Sequence, residues 1–293
     1  MAHTATASAP QTTTASRRTT TGSGVSFGRV LKSEWIKVTT VPSTVILLAI
    51  TLIVMVGFAA LFAWQTTVLL DFQSDPEMAA QMQGAPDATS IVSTIPGSGV
   101  VFGQLLIGSL AVVLIASEWG TGMIRSTMVA VPKRIPALLA KQLVFALIAF
   151  VLGAGSAFLG YLVAQPILTP SELNFSLGTD GVLLHIINTG SVLALVAVMA
   201  MSIGTLLRNT AGGVVTTIGL LFVVPILVMT LLAGIADWIP DAARFLPDAG
   251  AAQMVAIDIA DGALNQWQGA LVLGGWALGL LLISLLVTKK RDV

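Results

Sequence analysis

Residues 43–64 read STVILLAITLIVMVGFAALFAW, 22 consecutive positions without one charged side chain. A helix over them is about 33 Å long, enough to cross the hydrocarbon core of a bilayer. In lipid every backbone N–H and C=O must be paired internally, and a helix is the one single-segment conformation that does so. Five more stretches share this character: about 99–116, 142–164, 182–206, 211–234 and 268–287. The chain is therefore expected to be an all-α integral membrane protein of six spans, occupying residues 25–293 behind a tail at 1–24.

The segments between the spans support that count. Six spans place both termini on one side, and 13 of the 14 Lys and Arg residues fall there, Arg244 alone lying opposite. Eleven of the 14 acidic residues divide the other way. Adding or removing a span would scramble this segregation. Basic residues are retained on the cytoplasmic side, so both termini are expected in the cytoplasm of a cell whose plasma membrane the chain crosses six times. Trp64, Trp238 and Trp267 mark the outer ends of spans, and Trp35 and Trp119 the inner ends.

Composition limits the chemistry. The chain is 55% hydrophobic and 10% charged, against about 25% charged in a soluble domain. Its net charge is zero and it has no Cys, so nothing recruits nucleic acid and Cys-ligated metals are excluded. No GxxxxGK[ST] phosphate-binding loop, HExxH or GxSxG is present. The two histidines, His3 and His185, are far apart in the sequence, and no span holds a pair of carboxylates for a proton relay.

Residues 1–24, rich in Thr, Ser and Ala, read as a disordered cytoplasmic tail and not as a signal peptide, which would need an apolar core close behind. In residues 25–40, Phe27, Leu31, Trp35 and Val38 recur at helical spacing, with Arg29, Lys32, Ser33 and Lys37 occupying much of the rest. Such a basic amphipathic helix suits the membrane interface. Glu34 lies close to the apolar stripe. It either snorkels or pairs with Lys37 or Lys32, or this face packs on protein and Glu34 meets a basic partner there.

Residues 117–141, SEWGTGMIRSTMVAVPKRIPALLAK, join the second and third spans. Gly120 and Gly122 let the chain bend as it leaves the span. Trp119, Met123, Ile124, Met128 and Val129 form an apolar side at helical spacing, Pro132 stops that helix, and Pro136 opens the next. A short helix lying across the cytoplasmic ends of two spans is expected; a linker whose Lys and Arg only anchor topology is the alternative.

The segment Glu118-Trp119-Gly120-Thr121-Gly122 with Ile124-Arg125, then Val131-Pro132-Lys133-Arg134 and Ala140-Lys141, resembles permeases of the type-2 exporter family of ATP-binding-cassette transporters. Leu31-Lys32-Ser33-Glu34-Trp35-Ile36-Lys37 is similar to the opening of actinobacterial members. Arg208-Asn209-Thr210-Ala211-Gly212 with Pro225 resembles their fourth-to-fifth junction, and Phe245-Leu246-Pro247-Asp248-Ala249-Gly250 their outer segment before the last span. The resemblance covers about residues 27–290. It implies six spans, an N-terminal interfacial helix, and a coupling helix between spans two and three that docks on a separate cytoplasmic ATPase subunit. It implies a second permease subunit in a homo- or heterodimer, and no cofactor on this chain, ATP and Mg being held by the partner. Glu118, Gly120, Gly122, Arg125, Pro132 and Arg134 fall on the family pattern. The implied contacts are Arg125 and Arg134 against acidic groups of the ATPase, with Met123, Ile124 and Met128 filling a groove on it.

Within the spans, Gly153, Gly155, Gly160, Gly275 and Gly279 permit close helix packing. His185, Asn188 and Ser191 share one side of the fourth span and form interhelical hydrogen bonds or line a cavity. Pro225 kinks the fifth span or hinges it. The function expected is export of an apolar or amphiphilic molecule, a drug, peptide or lipid-like compound, driven by ATP on the partner. The rivals are an ATP-independent secondary transporter or channel, a membrane enzyme, and a sensing or immunity protein on the same fold.

Overall fold

The computed structural model describes residues 26–81, 84, 87–122, 134–232, 234–236, 238–260 and 262–290. All regular structure among them is helical, and six helices are long and apolar enough to cross a bilayer, the architecture of a multi-pass membrane protein. The expected tail at 1–24 and the coupling-helix residues Met123, Ile124, Arg125, Met128 and Pro132 lie outside the described residues. Arg134 is described as the first residue of a helix, without its side chain.

The chain opens with α1 (Phe27–Thr40), then α2 (Pro42–Ser74), α3 (Val100–Gly120), α4 (Arg134–Leu168), α5 (Val182–Leu207) and α6 (Thr210–Leu232). Two short helices, α7 (Trp238–Ala243) and α8 (Pro247–Val255), precede α9 (Gln266–Lys290). The spans are longer than apolarity alone suggests. α2 runs 33 residues, ten past Trp64, because nothing breaks it before Asp75, whose extended backbone is the one favoured ahead of Pro76. α4 runs 35 residues and begins eight positions before Gln142.

α5 lies at the centre, with 67% of its apolar window buried, whereas α2, α6 and α9 bury 17%, 11% and 17% of theirs. The core gathers Ile107, Val112 and Ile115 of α3, Phe145 of α4, and Leu193, Val196 and Met199 of α5. Small residues let α4 meet its neighbours closely: a Cβ on Gly153 would lie 2.9 Å from Gly190 Cα of α5, and one on Gly160 would lie 2.8 Å from Ala59 Cβ of α2. Gly155, Gly275 and Gly279 differ from the expectation; a Cβ on any of them meets nothing within 4 Å in the single chain.

α6 departs from regular α-geometry. Pro225 has no N–H to donate, and π-helical turns flank it at Gly219–Val223 and Val228–Leu232. At its start, Asn209 Oδ1 accepts from the Gly212 N–H (2.8 Å), capping the helix.

α1 has two faces rather than one apolar stripe. Val30, Glu34 and Val38 are buried, with Val30 against Ala137 and Ala140 of α4, while Phe27 and Trp35 are each 46% exposed. A helix at the edge of a bundle has protein on one side and solvent or lipid on another. The larger aromatic residues take the outer side, and Leu31 lies between the two.

Candidate functional site: a buried charge cluster at the basic end

One end of the bundle collects α1, the end of α3, the start of α4 and the α5–α6 junction. Four ionised side chains meet there. Lys141 Nζ donates to Glu34 Oε2 (2.5 Å) and to Glu118 Oε1 (2.9 Å). Lys37 Nζ donates to Glu34 Oε1 (2.7 Å) and, more distantly, to Glu118 Oε1 (3.4 Å). The side chains of Glu34, Glu118 and Lys141 keep 3%, 8% and 8% of their exposure, and that of Lys37 keeps 34%. Glu34 thus has basic partners both on its own helix and across the packing face.

Each position follows from local structure. Glu34 sits between Val30 and Val38 on the buried face of α1, and Lys37 is one turn on. Glu118 closes the last turn of α3. The helix then ends through Thr121 N–H to the Ser117 carbonyl and turns at Gly122 in the left-handed region, φ +72°. Lys141 lies two turns into α4, facing back toward both glutamates. The cluster therefore ties together the two ends flanking residues 123–133 and fastens both to α1.

The charges reinforce one another. Burial opposes the charged form of Glu34, but the Lys141 and Lys37 ammonium groups outweigh it and hold the carboxyl below its ordinary value. Burial also works against Lys37, and the hydrogen bond to Glu34 and the charge of Glu118 raise it above its ordinary value. The Glu34 contribution is present above pH 4.5 and lost as pH falls through the lowered folded-state value; that of Lys37 is complete below 10.5 and lost as pH rises through its raised value. The cluster's contribution to thermal stability in detergent should hold between those limits and be lost on acidification. Glu34→Gln should flatten the acid limb.

A second contact lies beside the cluster. The Arg208 guanidinium stacks 3.9 Å over the Trp119 ring, a cation–π pair worth about 0.5–2 kcal/mol depending on desolvation. Arg208 is itself left-handed, φ 51°, at the end of α5. Trp119, adjacent to Glu118, thereby connects the exit of α3 with the α5–α6 turn.

At the opposite end, His185 accepts at Nε2 from the Gly97 N–H (2.9 Å) and donates from Nδ1 to the Val255 carbonyl (2.5 Å). Those two contacts fix the neutral Nδ1–H tautomer. Asn188 Nδ2 donates to the Met254 carbonyl (2.6 Å). Both side chains cap the last carbonyls of α8, which packs against α5 and α9. Within the long segment before α9, α8 is the buried helix.

The structure thus brings Glu34 and Glu118 together and leaves Phe27 and Trp35 on the outer side of α1. His185 and Asn188 lie far from the cluster, and Pro225 sits within α6. Sequence reasoning named Lys37 as a candidate partner of Glu34, and the two do pair, but it left Lys141 among the topology-setting residues and missed it as the partner of both glutamates. The available signal was that Glu34, Glu118 and Asp292 are the three acids on an otherwise basic side. Among the described residues no three His, Asp or Glu side chains group as metal ligands. No family model matches the chain, and no curated protein matches it.

Proposed function

We propose that this chain is the membrane-spanning subunit of an ATP-binding-cassette exporter, with both termini cytoplasmic, working as a dimer and driven by separate ATPase subunits. The observation that supports this best is the Glu34–Lys37–Glu118–Lys141 cluster. It clamps the two ends of the 123–133 segment to each other and to α1, so force applied to that segment reaches three helices through buried ion pairs. Arg208 on Trp119 extends the link toward α6. Lightly buried α2, α6 and α9 leave broad apolar surface for lipid and for a second subunit.

In this reading Arg125 and Arg134 meet acidic groups of the ATPase, and Met123, Ile124 and Met128 fill its groove. ATP and Mg bind on that partner, and the cargo is apolar or amphiphilic. The test is reconstitution with a soluble ATPase subunit of the kind this reading requires. Arg125→Glu should lower ATPase stimulation by the permease at least tenfold while membrane insertion and the thermal unfolding of the permease stay unchanged. Equal stimulation by variant and wild type would remove the assignment.

A further inference from the structure

Directly beneath the charge cluster, between α1, α2, α3 and α4, is a cavity of about 530 Å³. That is within the range of about 300–1,000 Å³ typical of small-molecule sites. Its walls are mostly apolar, with Leu47, Leu110, Val113 and Phe145 among them, and its polar end holds Lys37, Glu118 and Lys141. Leu47 and Val113, each 38% exposed, mark the side open to the bilayer.

One atom at the polar end is unaccounted for. Glu118 is 7% exposed, and its Oε1 receives both lysines, but its Oε2 is buried with no donor among the described residues. A buried carboxylate oxygen without a donor is costly, and the cost is removed by any molecule that supplies one. Charge narrows the choice. Two carboxylates and two ammonium groups already balance, so a charged head would leave net charge in a largely buried site, which is unfavourable. A hydroxyl or amide N–H supplies the missing donor and leaves the balance intact. The partly exposed Lys37 ammonium can donate to the oxygen of the same head.

We propose that this cavity binds a single-chain amphiphile with an uncharged, hydrogen-bond-donating head, drawn from the lipid phase. The head donates to Glu118 Oε2 and the chain lies along Leu47, Leu110, Val113 and Phe145. This deepens the export reading by naming the chemistry of the cargo, and it rests on that reading only for the bound molecule's being cargo.

The test uses the full chain alone in phospholipid nanodiscs, with radiolabelled monododecanoylglycerol as probe. Dodecanoate supplies the same chain with an anionic head, and dodecyltrimethylammonium one with a cationic head and no donor. Saturable binding of the glyceride is expected, with both other probes at least tenfold weaker. Val113→Trp fills the cavity from the exposed face of α3 without touching the ion pairs. It should weaken glyceride binding at least tenfold at unchanged unfolding temperature, and Glu118→Gln, which leaves one carboxylate against two ammonium groups, should shift the preference from the glyceride toward dodecanoate. Non-saturable partitioning of the glyceride, wild-type binding by folded Val113→Trp, or equal binding of dodecanoate would each overturn the site. No ATPase is needed, so failure here leaves the partnership with an ATPase standing, and failure of that partnership leaves the site standing.

Discussion

Replacing Lys141 with Ala is expected to destabilise the bundle by about 3–5 kcal/mol, the usual effect of removing one partner from a buried ion pair. Lys141 is the link that reaches both carboxylates closely, at 2.5 and 2.9 Å. Without it Glu118 keeps only Lys37 at 3.4 Å, and the two buried glutamates share one ammonium group. Whole domains are stable by only about 5–15 kcal/mol, so most of the folded population would be lost on mild heating. The loss should come from stranded charge rather than from the missing side chain. Combining Lys141→Met with Glu118→Gln removes one charge of each sign and should restore more than half of the stability. Thermal unfolding in detergent reads both. A Lys141→Ala variant within 1 kcal/mol of wild type would show that the cluster is solvated and fastens nothing.

Gly190→Leu should be nearly as damaging, for a steric reason. A Cβ there would stand 2.7 Å from the Phe150 carbonyl oxygen and 2.9 Å from Ala154 Cβ, both on α4. These are backbone and near-backbone atoms that cannot rotate away, so the two most extensively packed helices must part. Overpacking of this kind costs about 1–3 kcal/mol, and separation of α4 from α5 also loosens the core around Leu193. Gly275→Ala is the control, since its Cβ enters open space. Similar unfolding temperatures for the two variants would contradict the close approach of α4 and α5.

The spans were legible because lipid imposes a single rule, about 20 mostly apolar residues in a helix, and residues 43–64 meet it without one charge. Their ends were not, because apolarity stops at the bilayer while a helix stops at a breaker; α2 continues to Ser74 for that reason. Small residues flagged helix contact correctly at Gly153 and Gly160, but hydropathy does not say which way a glycine faces, and Gly275 and Gly279 face outward. At the candidate site, Glu34 stood out as an acid beside an apolar stripe. Its partner Lys141 lies 107 residues away, and one-dimensional spacing carries no information about that pairing. The same holds for Arg208 on Trp119 and for His185 on Val255, which depend on how the helices are arranged around α5.

Everything proposed about function rests on the basic end facing the cytosol. The chain has no Cys, so single cysteines can be introduced without background labelling. The measurement is reaction of a membrane-impermeant maleimide with Ser126→Cys and Asp258→Cys variants in intact cells and in permeabilised ones. The account predicts that position 258 is labelled in intact cells and position 126 only after permeabilisation. Labelling of position 126 from outside intact cells, with 258 protected, would invert the topology and contradict the account.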